Sequence, residues 1–248
     1  MLNRQDGYAV IGCASRLCGE ISCGDCGLDP ICRVLEYGEA DSGVPEGVLL
    51  RRRPVARGET IFAWRDPFHS FFAVKSGSFK AMLPSEGRPG RVIGFQFAGE
   101  LMGIEGMAGR VYPYTARALE NSSVCELRLD RLPESGKPLE TLQQSIIEML
   151  GQAVAFNQEM IASLVHQSAD QRIAGFLLGI SDRLKRRGLE GDFFMLSMSR
   201  GDIASYLGLA SETVSRILTK MSKSGCIRLQ HRRLRLIDTD ALRRIAYS

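Results

Sequence analysis

Three cysteines lie close together near the N-terminus, in a glycine-rich C-x2-C-x5-C pattern formed by Cys23, Cys26 and Cys32. Thiolates bind soft metals and iron–sulfur clusters, and three thiolates in one short loop can converge on one centre. A four-coordinate centre needs a fourth ligand, and Cys125 is the only cysteine in the middle of the chain. The pattern therefore predicts a metal centre that ties an N-terminal arm to the body of the protein.

The residue types alone leave the chemical nature of this centre open. Structural zinc sites often combine two C-x2-C pairs, whereas this chain has one, so zinc, an iron–sulfur cluster and free thiols are all consistent with the spacing. Disulfides fit poorly, because the number of cysteines, seven, is odd and the N-terminus lacks an apolar signal-peptide core. The second observation predicts a cytoplasmic protein, and the cytoplasm is reducing.

The 248-residue chain is long enough for two domains, and its apolar pattern changes along its length. Residues 1–35 are poorly periodic and predict a cysteine-rich arm rather than a folded core. In residues 36–137, short apolar runs alternate with Gly and Pro turns, which predicts a β-barrel, roll or sandwich. The expected strands are residues 60–64, 71–75, 78–83 and 124–127. No run of about 18 apolar residues occurs, so we expect no membrane-spanning segment.

Residues 138–166 have the spacing of a long helix. Apolar residues and one Asn recur at intervals of three and four, as in the seam of a two-stranded coiled coil: Ile147, Leu150, Val154, Asn157, Ile161 and Leu164. An amphipathic helix packed on its own domain would show a similar stripe. The length of the helix and the central Asn157 favour a homodimer, because a buried Asn obtains its hydrogen-bond partner from its twin across such an interface.

Residues 167–248 are basic, with ten Lys and Arg against four Asp and Glu from Ser199 onward. This imbalance suggests an anionic polymer as partner, and a solvated surface is the simpler alternative. A second helix is expected to include residues 171–180 and to end near Arg187 and Gly188. Ser199 and Asp202 form the pattern of a capping box that opens another helix, which stops at Gly208.

The next helix, which Ser211 is expected to cap, has its polar residues on one face and its apolar residues on the other. Two short helices joined by a glycine-containing turn form a helix-turn-helix, which presents its second helix to double-stranded DNA. An αα-hairpin without a DNA role is the alternative, and the basic surroundings disfavour it. Residues 226–236 alternate around a polar turn and predict a basic hairpin, or wing, that can contact phosphates. The expected DNA contacts are Arg200, Ser211, Glu212, Thr213, Ser215 and Arg216.

Two of these side chains have the chemistry to distinguish bases. Arg216 can donate two hydrogen bonds to O6 and N7 of guanine, and Glu212 can accept one from the amino group of cytosine, each pair discriminating by about 1–3 kcal/mol. Ser215 is less selective. No combination of nucleophile, base and acid is visible in the sequence, so we expect a protein that is not an enzyme.

The arm, β-rich domain, long helix and helix-turn-helix together resemble the CRP/FNR superfamily of bacterial transcription regulators, and within it the oxygen-sensing FNR class. Residues 199–209, followed by Glu212-Thr213-Val214-Ser215-Arg216, are similar to the helix-turn-helix of that class. Residues 94–101 resemble its β-roll signature. The resemblance runs from about Cys23 to the C-terminus. It implies an α+β fold with an N-terminal cysteine-rich arm, a cyclic-nucleotide-binding-like β-roll, a long dimerisation helix and a C-terminal winged helix-turn-helix.

The resemblance also implies a cofactor and a switch. Cys23, Cys26, Cys32 and Cys125 match the four ligands of an oxygen-labile [4Fe-4S] cluster. In that class the intact cluster promotes dimerisation and, under anaerobic conditions, binding to a palindrome of TTGAT half-sites. RNA polymerase is the protein partner of that class in transcription. The residues that match the base-reading positions of the class are Glu212, Ser215 and Arg216.

Several features depart from the pattern of the class. Asn157 stands where an acid often holds the monomers apart by repulsion, so oxygen-dependent monomerisation is expected to be weaker. The loop over residues 86–91 is basic, where the class often has acidic residues that contact polymerase. Residues 112–116 replace the Arg-Ser pair that binds phosphate in the cyclic-nucleotide branch, so we do not expect cAMP binding. Cys13 and Cys18 are additional cysteines.

Two other kinds of protein share part of this pattern. A regulator of the same fold that senses haem-bound gas or thiol redox state would keep the DNA-binding end. An electron-transfer iron–sulfur protein would keep the cysteines, but it has no use for a helix-turn-helix.

Overall fold

The computed structural model describes residues 20–35, 47–85, 90–162 and 168–247. The described helices are α1 (Asp29–Val34), α2 (Gly106–Gly109), α3 (Leu139–Ala162), α4 (Ala169–Arg186), α5 (Arg200–Leu207), α6 (Ser211–Lys223) and α7 (Thr239–Tyr247). None of them combines the length with the apolar character that crossing a membrane requires. The mixed α+β fold expected from the sequence is confirmed.

The β-rich region is a roll made of two four-stranded antiparallel sheets. The first sheet has the strand order β1-β8-β3-β6 and the second has the order β2-β7-β4-β5. The expected strands are confirmed as β2, β3, β4 and β8, and the sequence did not predict β1, β5, β6 or β7. The bounds are β1 (Leu49–Val55), β2 (Thr60–Phe62), β3 (Ser70–Ser76), β4 (Ser78–Leu83), β5 (Arg91–Phe97), β6 (Leu101–Met102), β7 (Thr115–Ala118) and β8 (Ser122–Arg128).

Aromatic side chains fill the interior of the roll. The rings of Phe62 and Tyr112 stack with their centroids 4.0 Å apart, and the ring of Phe72 lies 5.8 Å from that of Phe62. The Tyr112 hydroxyl donates a hydrogen bond to the carbonyl oxygen of Ser70 at 2.6 Å. Such a bond satisfies the one polar atom that a buried tyrosine brings into a core.

α1 and α3 pack on the first sheet in one hydrophobic cluster. Leu28, Ile31 and Leu35 are fully buried, and the same cluster contains Leu142 and Met149 of α3. The expectation of an arm without a core is therefore wrong for residues 28–35. The reason is that these three apolar residues are spaced three and four apart, so two helical turns place them on one face.

The C-terminal region contains the expected helix-turn-helix, α5 and α6, and the expected hairpin, β10 (Ile227–Gln230) and β11 (Arg233–Leu236). The hairpin is joined by β9 (Phe193–Met195) in a three-stranded sheet of order β10-β11-β9. The winged helix-turn-helix is thus confirmed. The long helix α4 belongs to this domain and packs in the same hydrophobic cluster as α5, α6 and α7. Ser168 and Gln171 form the capping box at its start.

The C-terminal domain packs directly on β5 of the roll. Phe95 lies 5.9 Å from the ring of Phe176 and 5.3 Å from that of Tyr206. Beside this apolar contact, Arg183 donates from Nε to Glu100 Oε1 at 2.7 Å and from Nη2 to the carbonyl oxygen of Phe95. The side chains of Arg183 and Glu100 are only 6% and 13% exposed, so the ion pair is shielded from water.

We expect Arg183→Ala to lower the free energy of unfolding by about 3–5 kcal/mol, because it leaves the Glu100 carboxylate buried without its partner. Urea denaturation monitored by circular dichroism measures the change. Lys185→Ala is the control, since the Lys185–Asp192 pair is largely exposed and contributes about 0–1 kcal/mol. Equal losses in the two variants would show that the buried pair does not stabilise the domain contact.

Candidate metal centre and nucleic-acid interface

The segment from Ile21 to Leu28, here called the cysteine loop, is a series of tight turns that leads into α1. Cys26 N donates to the carbonyl oxygen of Cys23 at 3.1 Å, and Asp29 N donates to that of Cys26 at 2.9 Å. Cys32 N donates to the carbonyl oxygen of Leu28 at 2.9 Å, which places Cys32 inside the first turns of α1. These local hydrogen bonds give the three cysteines a defined order around the loop.

The cysteine loop is fastened to the body of the protein by backbone hydrogen bonds. Gly27 N donates to the carbonyl oxygen of Gly99 at 2.8 Å. A Cβ at position 27 would lie 2.8 Å from Leu101 Cγ and 3.0 Å from that carbonyl oxygen, so a side chain does not fit here. From the C-terminal domain, Arg187 Nη1 donates to the carbonyl oxygen of Asp25 at 2.9 Å.

The fold brings the cysteine loop, α1 and β8 together in one hydrophobic cluster, which includes three of the four expected ligands, Cys26, Cys32 and Cys125. Cys125 lies on β8 opposite Ala73 of β3 and is buried, as is Cys26. Burial, and to a smaller extent the negative charges of Cys26, Cys125 and Cys23, raise the pKa of Cys32 to about 12. Burial likewise raises the pKa of Cys26 to about 11. Charge on Cys23 and Cys125 acts on both Cys26 and Cys32, in line with the packing of Cys26, Cys32 and Cys125 in one hydrophobic cluster.

This group suits an iron–sulfur centre by its chemistry. The donors are thiols, the ligand type that binds such clusters, and none of the described cysteines is in a disulfide. No three His, Cys, Asp or Glu side chains in the described ranges are close enough to coordinate one metal ion.

Two cations that the sequence did not single out lie beside Cys23. Arg51 Nη2 is 3.7 Å and Lys75 Nζ is 3.8 Å from Cys23 Sγ. Both residues are on neighbouring parts of the first sheet, Arg51 on β1 and Lys75 on β3. No spacing rule links them to the cysteines, because the pairing of strands distant in sequence brings them there.

We expect Cys26 and Cys32 of the metal-free protein to react slowly with iodoacetamide at a pH of about 8, because only the thiolate is nucleophilic. Their alkylation rates should keep rising up to a pH of about 11 for Cys26 and about 12 for Cys32. Peptide mass spectrometry measures these rates. In urea-unfolded protein the same alkylation rates should stop rising once the pH exceeds the ordinary thiol pKa of about 8.5. Identical profiles in folded and unfolded protein would contradict the burial argument.

The first helix of the helix-turn-helix begins and ends as predicted. Ser199 Oγ accepts a hydrogen bond from Asp202 N at 3.0 Å, and Asp202 Oδ2 accepts one from Ser199 N at 2.9 Å. Gly208 ends α5 with φ +67°, a left-handed conformation that favours glycine. The prediction that Ser211 caps α6 is wrong, because Ala210 has the extended backbone of the N-cap and Ser211 is the first helical residue.

The outer face of α6 is polar, as predicted. Glu212, Ser215 and Arg216 are exposed, whereas Val214, Ile217, Leu218 and Met221 are buried. The exposed face continues into an open concave surface lined by Ser215, Arg216, Thr219, Lys220, Lys223 and Ser224. Lys220 and Lys223 were not among the predicted contacts, although their spacing from Arg216 places them on the same helical face.

Arg200 lies where α5 meets the wing. Burial, and then the positive charge of Arg232, lower the pKa of the half-buried Arg200. Arg232 follows the hairpin residue His231, which has φ +57°, and it donates to the carbonyl oxygen of Ser197 at 3.2 Å. Two cations held close together at the edge of the polar face are suited to a phosphate group.

Part of the predicted seam is visible on α3. Ile147 and Val154 are 61% and 54% exposed, which is unusual for large apolar side chains, and Leu150 is half-buried against the cluster that contains α1. Leu164 and the side chains of Asn157 and Ile161 lie outside the described part of the chain. Cys13, Cys18 and residues 86–89 of the predicted polymerase loop lie outside it as well.

Known proteins resemble this chain over most of its length. A model of the Crp-like helix-turn-helix domain matches residues 171–245, and one of the cyclic nucleotide-binding domain matches residues 52–134. The transcriptional activator protein FnrA of Stutzerimonas stutzeri is 37% identical over 220 residues, which cover 89% of this chain and 90% of that protein. The fumarate and nitrate reduction regulatory protein of Escherichia coli K12 is 32% identical over 235 residues, covering 95% and 92%.

The fold is also found among solved structures. FixK2 from Bradyrhizobium japonicum matches with a TM-score of 0.69 at 23% identity, covering 79% of this chain and 97% of that one. At this identity the match shows the fold alone, whereas the relatives above 30% identity cover nearly the whole chain and show the family. Its members are transcription regulators and not enzymes. This chain belongs to the CRP/FNR family of DNA-binding transcription regulators.

Proposed function

We propose that this protein is an oxygen-responsive transcription regulator in which Cys23, Cys26, Cys32 and Cys125 hold a [4Fe-4S] cluster. The observation that carries the proposal is the group formed by these four thiols, three on the cysteine loop and α1 and one on β8. When bound, the cluster supplies an oxygen-sensitive link between these elements. The chain then binds a palindromic TTGAT-type site as a homodimer under anaerobic conditions, and loses this binding in air.

The cysteines act on α3 through α1. Cys32 is part of α1, and the neighbouring Ile31 is buried in the cluster that contains Leu142 and Met149 of α3. Linking Cys32 to Cys125 on β8 therefore holds α1, and with it the first half of α3, in one position on the first sheet. In air, α1 is held by its apolar contacts and backbone hydrogen bonds alone.

The outer face of α3 forms the dimer interface in this proposal. The exposed side chains of Ile147 and Val154 meet those of a second copy, and Asn157 pairs with its twin further along the seam. Shifting a two-state equilibrium between unpaired and paired geometries of the seam from 1:99 to 99:1 takes about 5.5 kcal/mol, and a partial shift takes less. The neutral Asn157 implies a partial switch.

The homodimer places two α6 helices about 34 Å apart, one turn of DNA, so that each reads one half-site in the major groove. Arg216 and Glu212 contact bases, and Ser215 adds a less selective contact. Ser211 and Thr213, at the start of α6, contact the sugar-phosphate backbone of the DNA. Arg200 contacts it beside the wing. Lys220 and Lys223 extend the phosphate contacts along the same face.

The roll itself is not the sensor in this proposal. Phe62 and Tyr112 occupy its interior, and a Cβ on Gly103 would lie 2.9 Å from Tyr112 Cε1. A cyclic nucleotide would have to displace this aromatic stack. The alternatives of haem-bound gas, thiol redox sensing and electron transfer are distinguished by the visible absorption spectrum of anaerobically purified protein, because haem, iron–sulfur clusters and bare thiols absorb differently.

We assign residues 1–35 to the cluster-binding arm, 36–137 to the roll, 138–166 to the dimerisation helix and 167–248 to the DNA-binding domain. The partners are double-stranded DNA, a second copy of the chain and RNA polymerase. A bacterial regulator with these partners works in the cytoplasm, where the chromosome lies.

We expect Cys125→Ala, purified without air, to contain almost no iron or acid-labile sulfide, because the link to β8 loses its only ligand. Sedimentation should show more monomer, and binding to a TTGAT palindrome should fall. Cys226→Ala is the control, since Cys226 is buried in the C-terminal domain and should leave iron content unchanged. Wild-type iron content in Cys125→Ala would refute the proposed ligand set.

We expect Arg216→Ala to weaken binding to the palindrome by about 1–3 kcal/mol and to relax the preference for guanine. Fluorescence anisotropy with the native palindrome and with one lacking that guanine measures both effects. The control Lys223→Ala should weaken binding to both duplexes equally and reduce the salt dependence, as loss of a phosphate contact does. If Arg216→Ala also weakened both duplexes equally, Arg216 would not read a base.

A further inference from the structure

Lys75 is a charged side chain buried beneath the cysteine loop. It is 4% exposed, although it comes from β3 and is distant in sequence from the loop. Burying an ammonium group is costly unless anionic or hydrogen-bonding partners replace its water. The partners that the structure gives its Nζ therefore indicate why the charge is there.

Lys75 forms hydrogen bonds with both polar backbone groups of Ile21. Its carbonyl oxygen accepts a hydrogen bond from Ile21 N at 3.0 Å, and its Nζ donates to the carbonyl oxygen of Ile21. Ile21 is buried and lies two residues before Cys23. Lys75 thus fixes the start of the cysteine loop on β3.

The charge of Lys75 has a second partner in Cys23, whose Sγ lies 3.8 Å from Nζ. The carboxylate near Nζ belongs to Glu20, at 3.8 Å, and the Glu20 side chain is 46% exposed, so it compensates a buried charge only weakly. A thiolate at Cys23 Sγ would place a negative charge at the same distance from Nζ but on a less exposed residue. Arg51, at 3.7 Å, approaches the same sulfur from β1.

We propose that Lys75 is a positioning residue for the iron–sulfur centre: it holds the cysteine loop at Ile21 and places a fixed positive charge beside the ligand Cys23. This inference rests on the proposed function. Four thiolates bring excess negative charge into a partly buried site, and a neighbouring cation stabilises that charge. The charge also favours the reduced cluster, because reduction adds an electron.

The test compares anaerobically reconstituted wild-type protein with Lys75→Met, which has similar length but no charge or donor, and Lys75→Arg, which keeps both. Lys185→Met removes an exposed lysine of α4 as a control. For Lys75→Met we expect the chelator concentration that removes half of the iron to fall about 10–100-fold, with a lower midpoint potential. Lys75→Arg and Lys185→Met should behave like the wild type.

A second variant keeps the test decisive if Lys75→Met does not fold. Arg51→Met removes the other cation near Cys23 Sγ from a half-buried position, and it should shift chelator resistance and potential in the same direction by a smaller amount. The inference is overturned if the wild type holds a cluster and Lys75→Met holds it equally well at the same potential. It is also overturned if Lys75→Arg loses as much iron as Lys75→Met. A wild type that binds no iron and sulfide overturns the proposed function itself.

Discussion

The contact between the cysteine loop and the turn at Gly99 and Glu100 joins the three parts of the described structure. Gly99 accepts a hydrogen bond from Gly27 of the loop, and Glu100 forms the buried ion pair with Arg183 of the C-terminal domain. Gly99 has φ +89°, and a Cβ there would lie 2.6 Å from Ile21 Cδ1. Only glycine lets the loop, the roll and α4 approach each other so closely. One turn therefore sets the relative positions of the proposed sensor and the DNA-binding domain.

Apolar burial dominates the coupling between these parts. A fully buried Leu or Ile side chain contributes about 1.5–3 kcal/mol, so Leu28, Ile31 and Leu35 outweigh an exposed hydrogen bond such as Arg187 to Asp25, which contributes about 0.5–1.5 kcal/mol. The packing of α1 against α3 therefore stabilises the position of this segment more than that hydrogen bond does. The polar contacts define geometry, and the buried apolar face of α1 supplies most of the stability.

The roll keeps the architecture of the cyclic nucleotide-binding domain, and the groups with unusual chemistry lie away from its interior. The chain matches the cyclic nucleotide-binding domain, yet Phe62 and Tyr112 fill the interior of the roll. The groups with unusual chemistry, buried thiols and a buried lysine, lie on the outside of the first sheet under the cysteine loop. Function in such a family depends on the site that each member builds on the common scaffold.

Short sequence patterns correctly predicted the features that depend only on residues close together in the sequence. The capping box of Ser199 and Asp202, the stop at Gly208 and the polar face of α6 depend on neighbours within one or two helical turns, and all three are confirmed. Ser211 failed as a cap because the extended residue proved to be Ala210, and a shift of one position changes which side chain can reach the free N–H groups.

Other features depend on contacts between residues distant in the sequence, which short patterns do not encode. β1 includes Pro54 and a run of arginines and does not resemble a strand, but it lies at the edge of its sheet, where a missing N–H donor is tolerated. The spacing of the cysteines pointed to Cys125 only by elimination, whereas strand pairing brought Cys125, Lys75 and Arg51 to the loop. Residue types and spacing thus predicted a metal centre at the cysteines, and contacts between strands distant in sequence supplied the surroundings of these cysteines, because burial and charge at a site are properties of the folded chain.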